Sequence, residues 1–192
     1  MRQSQKSTML SNTEFVVRSA FYPKMDQLGV IAPERVIANL QTEVDASGSK
    51  IYTVSVGSET LLTSWDAIHD YGQRTVSAIN AANIERHKAS PEKFVENFYV
   101  GSYRMSVGAI HGAGNNVFSL EVHSKPLPNL HEHCDIEARN IASNLPRIEV
   151  SAARTRIIAQ LRFLLRDPQI RIRDEDLRTL EALSDIELSV EN

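Results

Sequence analysis

The order of apolar and polar positions along the chain predicts strands and helices in alternation. Glu14-Phe-Val-Val-Arg-Ser-Ala-Phe-Tyr22 is β-branched and aromatic and reads as a strand. Ala32-Pro33 opens a helix in which Val36, Ile37, Leu40 and Val44 recur three and four apart, and Asp45–Gly48 ends it. Ile51-Tyr-Thr-Val-Ser-Val56 alternates and predicts a half-buried strand, and Thr60–Thr63 predicts a short partner. Ser64 caps a long helix running to about His87, with Ile68, Tyr71, Val76, Ile79 and Ile84 inward. Ser90-Pro91 starts another, with Phe94, Val95 and Phe98 on its apolar face. Arg104–His111 and Val117–His123 read as two strands, and Gly112-Ala-Gly-Asn-Asn116 between them predicts a β-hairpin. Residues 130–144 read as a helix, because Ile136, Ile141 and Leu145 fall near one face and Pro146 stops it. Ile148–Val150 is a very short strand, and residues 151–166 form a helix with Ile157, Ile158, Leu161, Leu164 and Leu165 inward. Ile170-Arg-Ile-Arg173 suits an edge strand, and Asp174 caps a last helix with Leu177, Leu180 and Leu183.

These elements predict an α/β or α+β fold, with a small mixed or antiparallel sheet packed by helices in a single compact domain. Residues 1–12 read as a flexible N-terminus, 13–173 as the globular unit with sub-layers 13–88 and 89–173, and 174–192 as an acidic helix and tail. The 192 residues, 42% apolar and 23% charged, suffice for a core without disulfides or metal. One Cys excludes an internal disulfide and any four-cysteine zinc module. No apolar run approaches the roughly 18 residues of a membrane span. A cytoplasmic location is the expectation, with no membrane partner.

The net charge of −3 makes nucleic acid an unlikely partner overall, but charge is segregated near the C-terminus. Arg139, Arg147, Arg154, Arg156, Arg162, Arg166, Arg171 and Arg173 face only Glu149 and Asp167 over that span, and seven acids follow after residue 173. Arg139, Arg154 and Arg156 are therefore candidates for binding a substrate or another anion. The alternative is that the acidic tail packs on the Arg-rich helix, on a second copy of the chain, or on a protein partner.

The densest chemistry lies in Asn129-Leu-His-Glu-His-Cys-Asp-Ile-Glu137, with two of the six His and the only Cys. On a helix, His133 and Glu137, and Cys134 and Glu137, share faces, and His131 reaches in from the preceding loop. His131, His133 and Cys134 are the candidate metal ligands, a set that suits zinc. Glu137, His133 and Cys134 are the candidate catalytic residues: Glu137 as proton shuttle, His133 as base and Cys134 as nucleophile. The bland alternative is a helix N-terminus whose Glu132 and Asp135 complement the dipole, with His and Cys as packing.

Two resemblances bear on this segment. His131-x-His133-x-x-x-Glu137 resembles the first metal motif of the cupins, where the segment is a strand; the flanking glycines of that motif are absent here. Tyr99–Ala109 together with His133-Cys-Asp and Glu137-Ala-Arg-Asn-Ile-Ala142 is similar to the cytidine-deaminase-like fold over roughly residues 91–165. That resemblance implies a zinc hydrolase acting on a small nucleotide-like or amine-bearing substrate, with a zinc-bearing helix at 130–144. The second signature of that family, Cys-x-x-Cys, has no counterpart: Val150-Ser-Ala-Ala-Arg-Thr155 stands in its place. The resemblance therefore implies a site rebuilt from His131, His133 and Cys134, with His111 and His123 as further donors.

Overall fold

A computed structural model describes residues 8–23, 26–27, 30–31, 33–44, 48–142 and 145–169. The strands are β1 (Thr8–Met9), β2 (Phe15–Tyr22), β3 (Asp26–Gln27), β4 (Val30–Ile31), β5 (Gln41–Val44), β6 (Lys50–Ser58), β7 (Phe98–Ser106), β8 (Phe118–Ser124), β9 (His133–Asn140) and β10 (Arg166–Gln169). The helices are α1 (Pro33–Val36), α2 (Trp65–Arg86), α3 (Val107–Gly112) and α4 (Arg147–Phe163). The main sheet runs β1-β8-β9-β6-β2-β7-β10, with β5 also on β6, and its pairs are antiparallel. β3 and β4 pair with each other. The fold is mixed α/β, built on an antiparallel sheet. Among the described residues no helix is long and apolar enough to cross a membrane.

The strand period of two decides what each sheet face carries. On β9, Cys134, Ile136 and Ala138 face one side and pair with Val56, Val54 and Tyr52 of β6 and with Ser124, Val122 and Leu120 of β8. That side is the main core, completed by Val36 and Ile37, by Val107 and Ile110 of α3, and by Ala153, Ile157 and Leu161 of α4. On the other side α2 covers β2 and β7, where Val17, Leu62, Ile68, Tyr71 and Leu130 form a second cluster. Ser64 accepts from Ala67 N and starts α2 as its sequence predicts. Gly72 lets α2 approach β7, since a Cβ there would fall on the Tyr99 ring.

The sheet is divided along β6. β9 follows one edge from Ile51 to Gly57, but the other edge is shared. β5 takes Lys50–Thr53 and β2 takes Gly57–Ser58. Arg18 enters the gap, donating from Nη1 to Ser55 O at 2.7 Å and from Nε to Val36 O at 3.3 Å. It thereby ties α1 to the sheet.

Several expected elements differ. The helix expected from Pro33 stops at Val36, and Gln41–Val44 pairs with β6. Thr60–Thr63 is a turn, and the Pro91 start gives only a 3₁₀ turn over Pro91–Lys93. Ile148–Val150 lies inside α4, because Pro146 precedes the helix and Arg147 begins it. The expected hairpin does not form. Ser106 caps α3 at Ala109 N, so Val107–Gly112 coils and β8 pairs with β1 and β9. Val107, Ile110 and Ala113 are spaced for a helix face, and a short apolar run of this kind suits either state. In the expected flexible N-terminus, Thr8–Met9 is an edge strand and Leu10 is buried. The predicted strand 170–173 and the acidic helix and tail 174–192 lie outside the described residues.

Candidate functional site

Residues 133–140 form a strand, which corrects the helix expected over 130–144. The alternation Cys134/Ile136/Ala138 against His133/Asp135/Glu137/Arg139 is the cause. The apolar triplet joins the core, and the polar set lines the opposite face. The register places Glu121, Glu137 and Thr53 in one row, and His123, Asp135 and Ser55 in the next. The turn after β8 lays Lys125 across both rows. Its Nζ lies 2.7 Å from Glu137 Oε1, 3.2 Å from Asp135 Oδ2 and 3.4 Å from Glu43 Oε2.

Four acids and two permanent cations thus share one sheet face. Arg139 pairs with Glu137 and approaches Glu121 at 3.9 Å. His123 Nε2 lies 2.8 Å from Glu121 Oε2 and 4.0 Å from Glu137 Oε2. The carboxylates at the floor are deeply buried, with side-chain exposures of 4% for Asp135 and 1% for Glu137. Those at the rim, Glu121 and Glu43, are 36% and 45% exposed, so the face is open at its edge.

The two floor carboxyls are displaced in opposite directions. Burial lifts Asp135 above the ordinary aspartate range, against the pull of His133 and Lys125. Burial acts on Glu137 too, but hydrogen bonds from Lys125 and Arg139 outweigh it and hold Glu137 below the ordinary range. His133 Nδ1 lies 2.9 Å from Lys125 O. A carbonyl only accepts, so Nδ1 carries the proton and Nε2 turns toward Asp135 Oδ1 at 3.6 Å. That separation is beyond a hydrogen bond and well within Coulomb range.

The structure divides the residues expected to act together. His133 lies on the polar face. Cys134 is 1% exposed in the core, with Sγ directed to Glu132 O at 3.6 Å. Burial pushes its thiol up to about 12, which removes the thiolate a nucleophile needs. His131 is exposed in the loop before β9 and lines a groove of about 910 Å³ against α2. Arg74 pins that loop, holding Glu132 at 2.9 Å and Asn129 O at 2.7 Å. The proposed zinc set His131, His133 and Cys134 therefore does not converge, because strand geometry turns Cys134 away from His133. Among the described residues no three His, Cys, Asp or Glu side chains are arranged to hold a metal ion. The residues present do not fit the zinc centre implied by the deaminase-like resemblance, and its zinc-bearing helix is a strand here. His111, a further expected donor, sits on α3 and is engaged by Asn12 and Val122.

The arginine candidates also separate. Arg139 belongs to the charged face, whereas Arg154 stacks over Tyr52 at 5.3 Å on the core side. Arg156 is exposed on α4. Arg162, in the same helix, donates to Ile37 O and Ala38 O. Sequence reasoning missed Lys125, Glu43, Glu121 and Asp135 as site members. Only Asp135 had a visible signal, its place in the polar half of an alternating run.

Comparison with protein-family models, curated proteins and solved structures returns no match.

Proposed function

We propose that the chain is an enzyme that moves a proton on a small amine-bearing substrate at the charged face of β8 and β9. Asp135 and His133 are the acid–base pair, and Glu137 is a fixed anion that anchors Lys125 and Arg139. The observation that carries this reading is a pair of buried carboxyls on one strand face, Asp135 and Glu137, bridged by Lys125 and set in environments that displace them in opposite directions. Environments that drive two such groups apart are how one site obtains both a proton carrier and a permanent charge. Burying two acids in a sheet costs solvation.

The amine follows from charge. Glu43, Glu121, Asp135 and Glu137 stand against Lys125 and Arg139, so the face carries excess negative charge while its imidazoles are neutral. An ammonium complements that excess, and a phosphate does not. The nucleotide-like alternative loses support for this reason. Of the arginines in the interaction reading, Arg154 and Arg162 are engaged within the chain, and Arg147 and Arg156 are exposed.

Asp135→Asn tests the proposal. Because the folded carboxyl is lifted above its unfolded value, ionising it costs native stability at every pH above that unfolded value. The variant should therefore melt at the same temperature as the parent at pH 8, or higher. In low salt, a panel of small primary amines should raise the melting temperature of the parent and leave the variant unmoved. A panel without effect on the parent, or an equal response in the variant, would overturn the reading.

A further inference from the structure

The second histidine site is the junction of the N-terminal segment with the edge of β8. Thr8 and Met9 pair with Ser124 and His123, and Leu10 N donates to Val122 O at 2.8 Å. The chain then turns away, and Val122 N–H would lack its strand partner. His111 Nε2 takes its place as acceptor at 3.2 Å. Nε2 therefore has a free lone pair, and the proton is on Nδ1, 2.6 Å from Asn12 Oδ1. The backbone of the same segment covers the start of α3. Asn12 O accepts Gly108 N and Glu14 O accepts Val107 N. Gly108 allows this approach, since a Cβ would stand 2.9 Å from Asn12 O.

We infer that His111 is a proton-operated latch, in which acid releases the segment 8–14 from β8 and opens that sheet edge. A second proton on the ring would set Nε2–H against Val122 N–H, two donors with no acceptor between them. Burial already holds the His111 imidazole below its ordinary range. Of the charged groups around it, Glu121 on β8 favours the extra proton and His123 opposes it. Glu14, in the released segment, is occupied by Ser11 N and Thr60 Oγ1. The groove between α3 and α4 presents only Ala159, Gln160, Phe163 and Leu164 from α4, none of them ionisable. A folded imidazole below its unfolded value stabilises above that value and loses the contribution as pH falls through the folded one. The latch is thus closed at neutral pH and opens in acid. An unpaired edge strand is then free to pair with another chain.

Amide-exchange protection factors, corrected for intrinsic rates, test this on the full chain at pH 7.5 and pH 5. Leu10 and Val122 should lose at least tenfold on acidification, while Val54 and Ile136 keep their protection. In His111→Gln, which can accept and donate but not titrate, the fall should vanish. Equal protection at both pH values, a uniform loss across the sheet, or the same fall in the Gln variant would overturn the latch. Imidazole ¹⁵N shifts give a check independent of any variant: a proton on Nε2 at pH 7.5 is incompatible with it.

Discussion

Lys125→Met should destabilise the protein by about 3 kcal/mol at pH 7.5, the lower end of what breaking a buried ion pair costs. The ammonium touches three carboxylates, and two of them, Asp135 and Glu137, have almost no contact with water. Methionine replaces the stem but leaves those charges with less compensation. Arg139 remains on Glu137, which keeps the loss from being larger. The sign with pH is fixed by Glu137. Its folded carboxyl lies below the unfolded value, so its contribution is present above that unfolded value and is lost as pH falls through the folded one. Without Lys125 most of that contribution is absent from the start. The deficit relative to the parent should therefore be largest near neutrality and shrink below about pH 4, where an unfolded glutamate protonates. Urea denaturation of both proteins at pH 7.5 and at about pH 3 measures it. A deficit independent of pH would mean that Lys125 acts through packing of its methylenes.

Arg18→Met should cost about 3 kcal/mol as well, but through hydrogen bonds at a break in the sheet. Arg18 is half-buried, and desolvation lowers its pKa from the ordinary value. Guanidinium nevertheless keeps its charge in a protein. One planar group reaches Ser55 O in β6 and Val36 O at the end of α1 together. Removing it leaves Ser55 O, in the interval between β5 and β2, and Val36 O, at the end of α1, without that donor. The loss should persist at low pH, in contrast to the Lys125 variant. Arg18→Lys should recover little, because an ammonium lacks the spaced donors that span both carbonyls. Full recovery by lysine in denaturant titrations would show that charge, not the fork, is what the gap requires.

Local patterns were legible where one periodicity governed burial. Ser64 and the spacing of Ile68, Tyr71 and Val76 mark α2, and the residues between Phe15 and Tyr22 mark β2. Residues 133–140 were misread because both faces of β9 are buried, so polarity did not report exposure. Their strict alternation was still visible, and strand was also the state of the segment in the cupin-like motif. The members of the charged face come from three stretches of the chain, Glu43, Glu121–Lys125 and residues 133–139. Only strand pairing brings them together, and no spacing along the chain encodes it. Arg18, inside Phe15-Val-Val-Arg-Ser-Ala-Phe-Tyr22, was the other unused signal. A charge in a run of core residues needs a buried partner.

The most direct measurement is a carboxyl ¹³C titration of the intact protein, resolving Asp135 and Glu137. Asp135 should titrate above the ordinary aspartate range, while Glu137 stays ionised to below the ordinary glutamate range. An ordinary Asp135, or a Glu137 that takes its proton first, would contradict the assignment of Asp135 as proton carrier and Glu137 as fixed anion.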